Sequence, residues 1–305
     1  MNIISFWCNN APMENWDDFR FILALDRAVT IRSAAAILGV THSTVSRRLA
    51  VINRRYGKPV FERIASGYRK TELGIELVSA ARQMEMLSFS ADRRRKASET
   101  GLSGPITLSI PDVLGQFLLR DYIADFCHQY PDIRLSVQSS YRFADLDRSE
   151  ADVVIRSVAN PPEHLIGRRL FPYALSYYCQ REYLRMTKAE DRCWIAASNP
   201  FGPSDWLSKS PFPDAPILMI SDDITLRQKM MAQGHGMIRS ACYINDPDPE
   251  IVRIPKAGSP VPAADFWVLT HPDLKDTPRI KLLMRFLTEA LIENQALIEG
   301  RTVDS

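Results

Sequence analysis

A chain of 305 residues, 46 % hydrophobic and 24 % charged, has the ordinary mix of a globular protein and a length that suggests two domains. No apolar run reaches the roughly 18 residues of a membrane-crossing helix, and no basic residue precedes the short apolar start, so a secretory signal is a poor reading. The net charge of +2 hides a segregation: residues 1–100 carry sixteen Lys/Arg against ten Asp/Glu, the remainder twenty-two against twenty-six, so one end is suited to a polyanion and the other is not.

WDDFRFILALDRA (16–28) predicts a helix with Trp16, Phe19, Ile22 and Leu23 on one face and Asn15 as its N-cap. RSAAAIL (32–38) predicts a short second helix, broken by Gly39, with small Ala34 and Ala35 where helices approach closely. A third helix starts near Thr41 and runs to about Tyr56, ended by Gly57-Lys58-Pro59. Helix, glycine turn, helix is a helix-turn-helix signature. VFERIASGYRKT then reads as two short strands about a Ser66-Gly67 turn, a basic wing that completes a winged domain over 13–71.

Thr71 caps the next helix, expected over 72–98 at most, whose regular part ends near Lys96. Leu73, Leu77, Ala80, Met84, Leu87 and Ala91 recur at spacings of four and three, a heptad seam. Twenty-five residues make a helix about 38 Å long. It either packs on its own domain or pairs two copies of the chain; the narrow two-in-seven stripe favours pairing. A polar linker follows, ending at Gly104-Pro105. From residue 106 short apolar strands (ITLSI, IRLSV, DVVIR, ALSYY, CWIAA, ILMI, FWVLT) alternate with amphipathic helices, the pattern of α/β layers with largely parallel sheets.

THSTVSRRL (41–49) carries the chemistry of the amino-terminal part. On a helix Val45 and Leu49 share the inner face. That leaves Thr41, His42, Ser43, Thr44, Ser46 and Arg47 near the exposed N-terminal end, the end of a recognition helix that enters the major groove. Hydroxyls and an imidazole can bond base edges there, and arginine can pair with guanine or hold a phosphate. Residues 42–70 hold eight basic side chains and one acid, Glu62. Arg48, Arg54, Arg55, Arg63, Arg69 and Lys70 supply sequence-independent attraction to phosphates, and Arg32 and Ser33 of the preceding helix complete the expected DNA-binding set. The competing reading is a solvated basic face on a structural helix.

Catalytic and metal chemistry find little support. The five cysteines are scattered without C-x-x-C and the five histidines lack ligand spacing, which argues for a reducing cytoplasm and against a disulfide framework or a zinc site. Gly234-His235-Gly236 lacks the third glycine of a dinucleotide fingerprint, and there is no G-x-S-x-G or P-loop. No enzyme activity, cofactor or metal is expected.

The run SAAAILGVTHSTVSRRLAVINRRYGKPVFER, followed by KTELGIELVSAA, strongly resembles the LysR-type transcriptional regulators over the first hundred residues, and the resemblance continues loosely to the C-terminus. Ala35, Leu38, Val45, Ser46, Leu49, Gly57, Phe61, Arg63, Thr71 and Gly74 sit at family positions. His42 stands where the family has glutamine, Asn53 where it has glutamate and Lys70 where leucine is common. Family members usually begin close to the first helix, which implies Met13 as a natural start and residues 1–12 as a disordered tail or an extension.

The resemblance implies a long linker helix that pairs two protomers into a homodimer, or a dimer of dimers (homotetramer), reading an interrupted inverted repeat in double-stranded DNA. It implies that 104–300 resembles a two-lobed, type 2 periplasmic binding protein, with lobe I at about 104–173 and 271–300 and lobe II at about 174–270. The chain would cross between lobes near 173–175 and 270–272. A small-molecule effector, with an anion among the candidates, would sit in the cleft. By family position it would meet Pro111, Asp112, Val113, Ser139, Ser198, Asn199, Ser221, Asp222, Arg239 and Ser240, at strand ends and helix starts. Arg239 and Ser240 depart from the family's apolar residue and proline. Arg239 either binds an effector carboxylate or pairs with Asp222 or Asp223, and Arg156 has the same ambiguity. An activator would also meet RNA polymerase; no membrane partner is expected. The rival readings are a basic DNA binder without ligand and an α/β enzyme carrying a winged-helix head.

Overall fold

The computed structural model describes residues 16–140, 142–198 and 206–301. They fall into two compact units that divide after Asp92. The N-cap expected at Asn15 and the tail 1–12 lie outside the described residues.

In the first unit, α1 (Trp16–Ala28), α2 (Ile31–Leu38) and α3 (His42–Tyr56) follow the sequence pattern. Thr30, which the pattern did not single out, caps α2 by accepting the Ser33 N–H at 3.1 Å. Gly39 ends α2 with φ 66°, a left-handed conformation that glycine adopts without a Cβ penalty. Thr41 caps α3, its oxygen accepting the Thr44 N–H at 3.2 Å. Ile22, Leu25, Ala34, Val45 and Ile52 are at most 2 % exposed, and each large aliphatic side chain among them contributes about 1.5–3 kcal/mol. Ala34 is wholly buried, so nothing larger fits there without displacing a helix. Trp16, expected on the inner face, is 53 % exposed; the buried face of α1 starts further along, at Asp18.

The wing is the antiparallel hairpin β1 (Phe61–Ile64) and β2 (Gly67–Lys70), with Ile64 opposite Gly67. The Tyr68 N–H donates to the Val29 carbonyl at 2.8 Å and fastens the wing to the end of α1. Then α4 (Glu72–Ala97) begins, with the Gly74 N–H donating to Thr71 Oγ1 at 3.0 Å. Gly74 is dictated by packing: a Cβ there would lie 2.1 Å from the Val60 carbonyl oxygen. Leu73 and Leu77, the first two seam positions, pack half-buried against the head's own core. Further along, Leu87 is 69 % exposed and Ala91 is exposed as well.

In the second unit, β3 (Gly104–Ile110) leads into a three-residue helix, α5 (Asp112–Leu114), a wider π-type turn (Gly115–Leu119) and α6 (Arg120–Gln129). Then come β4 (Ile133–Ser139), β5 (Val153–Ser157), the long β6 (Ile166–Gln180), α7 (Arg181–Met186), β7 (Trp194–Ala197), β8 (Ile217–Ser221) and α8 (Ile224–Ala232). The chain closes with β9 (Ile238–Ala241), α9 (Cys242–Asn245), β10 (Ile251–Arg253), β11 (Val261–Thr270), α10 (Pro278–Glu293) and α11 (Gln295–Ile298).

Seven strands form one sheet in the order β10-β6-β11-β5-β3-β4, with β9 also on β6; β7 and β8 pair separately. The sheet is less parallel than the alternation predicts. Only β3 with β4 and β5, and β7 with β8, run parallel, while β6 and β11 are antiparallel to all their neighbours. The cause is that these two strands carry the chain between lobes in opposite directions. The outward crossing lies within β6, which contains 173–175. The return differs from the expected 270–272: Phe266–Thr270 pair with β5 of the first lobe, and the register of β11 shifts between Pro262 and Asp265 instead. Proline cannot donate to a ladder, so an irregularity falls naturally there. The first lobe buries Ile106, Leu108, Ile110, Phe126 and Leu287 in one cluster; the second buries Tyr178, Ile195, Met231 and Ile238 in another.

Candidate nucleic-acid interface and effector cavity

The first turns of α3 leave His42, Ser43, Ser46 and Arg47 exposed, while Val45 and Leu49 hold the opposite face in the core. Thr41 is committed to capping, at 2.8 Å from Ser43 Oγ and 2.9 Å from Thr44 Oγ1. Thr44 is half-buried. Arg32 and Ser33 are exposed on α2, with Ser33 Oγ 2.9 Å from Thr30 Oγ1. Arg32, His42, Ser46 and Arg63 line one depression together with Ile31 and Tyr68, so α2, α3 and the wing converge on a single basic concavity.

Not all of the expected basic residues face that surface. Arg48 closes on the buried Asp18 of α1, and Arg55 reaches the same carboxylate at 2.5 Å. Residues 48 and 55 are seven apart, two helical turns, and so share one flank of α3, beside the buried face of Val45, Leu49 and Ile52. Arg48 is therefore a strut, not a free cation. Lys70 likewise turns back to Asp26 at 2.6 Å, and Arg82 meets the same carboxylate at 2.8 Å. Burial opposes the charge of Asp26, but the bonds from Lys70 and Arg82 outweigh it and hold its carboxyl below the usual range. Arg69 pairs across the wing with Glu62 at 3.1 Å, the residue directly opposite it. Among the described residues Arg32, Arg47, Arg54 and Arg63 make no ion pair.

The second unit holds a cavity of about 360 Å³, within the range of small-ligand sites. Of the expected effector residues, Pro111, Val113, Arg239 and Ser240 line it. Asp112, Ser139, Ser198, Ser221 and Asp222 are not among the described lining residues, and Asn199 lies outside the described ones. Asp112 turns to the Val113 N–H at 2.8 Å, and Ser221 Oγ accepts the Asp223 N–H at 3.1 Å. Ser139 and Ser198 are exposed at the ends of their strands, and Asp222 is exposed too.

Sequence reasoning missed an aromatic wall: Phe143, Tyr173, Trp206, Tyr243 and Phe266. Tyr173 and Tyr243 each stack against Phe266, with centroids 5.8 and 6.2 Å apart. These rings sit on separate segments that only the tertiary fold unites. Burial keeps the phenols of Tyr173 and Tyr243 neutral by raising both above the ordinary value; for Tyr173 the Arg239 charge opposes that rise.

Three arginines also line the cavity: Arg156, Arg227 and Arg239. Arg156 is 3 % exposed and bonded only to neutral oxygens, the Ile155 carbonyl at 2.7 Å and, at 2.8 Å each, Ser109 Oγ and the Arg142 carbonyl. Its Nε has no hydrogen-bond partner. Burial, then the nearby Arg142 charge, pushes its pKa down to about 10. Neither alternative partner pairs with Arg239: Asp223 caps α8 through the Leu226 N–H at 3.0 Å, Asp222 is exposed, and Arg239 makes no ion pair among the described residues.

A winged helix-turn-helix head, a long helix and a two-lobed α/β domain with a cavity define the architecture of a helix-turn-helix regulator. Residues 16–75 match the family described as bacterial regulatory helix-turn-helix protein, lysR family, and residues 99–292 match the LysR substrate binding domain. The chain belongs to the LysR family. The Mau operon transcriptional activator of Paracoccus denitrificans is 29 % identical over 142 residues, 47 % of this chain and 50 % of that one. The probable HTH-type transcriptional regulator LtrA of Klebsiella pneumoniae is 27 % identical over 44 % of this chain and 43 % of its own. The chain thus spans about half the length of these two relatives. An HTH-type transcriptional regulator of Xanthomonas campestris is 22 % identical over 90 % of this chain and 85 % of its own. The full-length structure of the Vibrio cholerae virulence activator AphB is similar in fold, with a TM-score of 0.57 at 18 % identity, covering 90 % of this chain and 99 % of that one.

Proposed function

We propose that this protein is a sequence-specific transcriptional regulator. The N-terminal end of α3 reads base edges in the major groove of double-stranded DNA, and a small molecule in the cavity of the second unit modulates that binding. One observation carries the reading: His42, Ser46 and Arg47 are exposed on a helix whose other face is fixed in the core, and Arg32 and Arg63 flank them without internal partners. Major-groove recognition by a helix-turn-helix uses this end of this helix. The seam positions of α4 beyond the head's core, half-buried Ala80 and Met84 and exposed Leu87 and Ala91, support pairing with a second copy, so that two heads face an inverted repeat. No described helix is long and apolar enough to cross a membrane; a cytoplasmic regulator is the reading that fits DNA as its partner. Binding of effector then shifts the relative population of two arrangements of the heads.

The test is direct. Genomic DNA that co-purifies with the protein is sequenced, and a duplex chosen from it is titrated by fluorescence anisotropy at rising salt. Affinity should fall steeply, with a log–log slope of about 0.9 per phosphate contacted. A salt-independent affinity, or equal affinity for random duplex, contradicts the reading.

A further inference from the structure

We propose that the effector is a small organic anion, a carboxylate on an apolar, ring-sized body, with its anionic group between Arg239 of β9 and Arg156 of β5. The inference rests on the reading of the cavity as an effector site and names the chemical class it takes.

Three independent features point the same way. Arg156 is 3 % exposed, yet among the described residues it bonds to neutral oxygens and lies 6.0 Å from the Phe143 ring centroid without meeting an acid, and its Nε has no hydrogen-bond partner. A buried charge without a counter-charge is costly, and an anion that reaches it recovers that cost. Arg239 comes from the other lobe, lines the same cavity and makes no ion pair among the described residues. Beside it, Ser240 is 5 % exposed and its Oγ has no hydrogen-bond partner. No described lining residue is acidic. Among the described residues the cavity therefore offers the Arg156 and Arg239 guanidiniums no counter-charge and the Ser240 hydroxyl no hydrogen-bond partner, and carboxylates suit guanidinium geometry best.

The rest of the wall excludes a bare inorganic anion as the best fit. Phe143, Tyr173, Trp206, Tyr243 and Phe266 present rings, and Tyr243 and Phe266 are themselves buried. At about 30 Å³ per water-sized group, 360 Å³ holds roughly a dozen such groups. That is enough for one carboxylate and a ring.

The probes are phenylacetate and its neutral isostere phenylacetamide, titrated into the full-length protein by calorimetry, with inorganic sulfate as a third arm. Phenylacetate should bind about tenfold to a hundredfold more tightly than phenylacetamide, and sulfate more weakly than phenylacetate. Arg239→Met should remove most of that preference while leaving the melting temperature and the ligand-free DNA affinity unchanged. Ser240→Ala should weaken phenylacetate less than Arg239→Met does. Because Arg156 is buried, its replacement can unfold the lobe, so Arg239→Met and Ser240→Ala carry the test. Phenylacetamide binding as tightly as phenylacetate, or full phenylacetate affinity in Arg239→Met, overturns the anionic class while leaving a ligand cavity. Sulfate binding as tightly as phenylacetate overturns the apolar body. Binding of none of the three, with DNA binding intact, overturns both this inference and the effector reading.

Discussion

In the head, Arg48 and Arg55 close on Asp18, and Lys70 and Arg82 close on Asp26. In the cavity domain, Arg156 is more deeply buried than any of these four basic residues and, among the described residues, meets neutral oxygens and the Phe143 ring but no acid. The two regions put the same side chain to different uses. An arginine paired within the chain is a strut that holds one helix on another whatever the solution contains. An arginine buried without an acid leaves electrostatic energy that only an incoming molecule can recover. The head keeps its remaining unpaired arginines at the surface, where a polyanion reaches them; the cavity keeps its own inside, where only a small anion fits.

Removing a strut should give the largest effect. Asp18→Ala leaves two cations facing a vacated, buried position. It should destabilise the head by about 2–3 kcal/mol, somewhat below the 3–5 typical of fully buried pairs, because Arg48 and Arg55 retain 24 % and 34 % of their exposure. A urea titration followed by circular dichroism checks this. If Asp18→Ala unfolds at the wild-type midpoint, the strut account fails.

The wing sharpens the contrast at smaller scale. Arg63→Ala should lower the salt slope of DNA binding by about 0.9. Arg69→Ala should lower it less, because Glu62 at 3.1 Å already answers part of that charge. Equal slopes for the two variants would mean that the Glu62 pair opens on DNA.

A third, weaker effect concerns His271, which lies 3.2 Å from the Asp147 carboxylate and accepts the Asp273 N–H at 3.0 Å. Burial, then the Arg93 charge, lowers its pKa in the fold. The unfolded chain therefore takes up the proton first, at about pH 6.5, and stability should decline as pH falls below that point towards the folded value. His271→Asn should flatten this slope in thermal melts between pH 7 and 5; an unchanged slope assigns it to other groups.

The head was legible in sequence because its signals are local. Gly39, Gly57, Thr71 and Gly74 each report a turn, cap or close approach within a few residues. Thr30 escaped because a cap directly before a short helix looks like any loop threonine. The inward turn of Arg48 and Lys70 escaped for a different reason: a basic residue near a recognition helix reads as DNA-facing until the position of Asp18 and Asp26 on α1 is known. The cavity was legible only in part. Pro111 and Val113 follow the end of β3 and Arg239 and Ser240 lie within the short β9, whereas Tyr173, Trp206, Tyr243 and Phe266 come from four segments, and no spacing in the chain announces that they meet. Parallel strands were over-expected because strand–helix alternation reports layers but not the two long strands that cross between lobes.

The central claim is that the exposed N-terminal end of α3 supplies the base reading. Its most direct measurement is the ratio of affinities for the selected duplex and a random duplex, taken for wild type, Ser46→Ala and Arg47→Ala at one salt concentration. The ratio should fall about tenfold or more in Arg47→Ala and less in Ser46→Ala, while affinity for random duplex changes little. An undiminished ratio in both variants, with the proteins folded, would place the reading surface elsewhere and contradict the account.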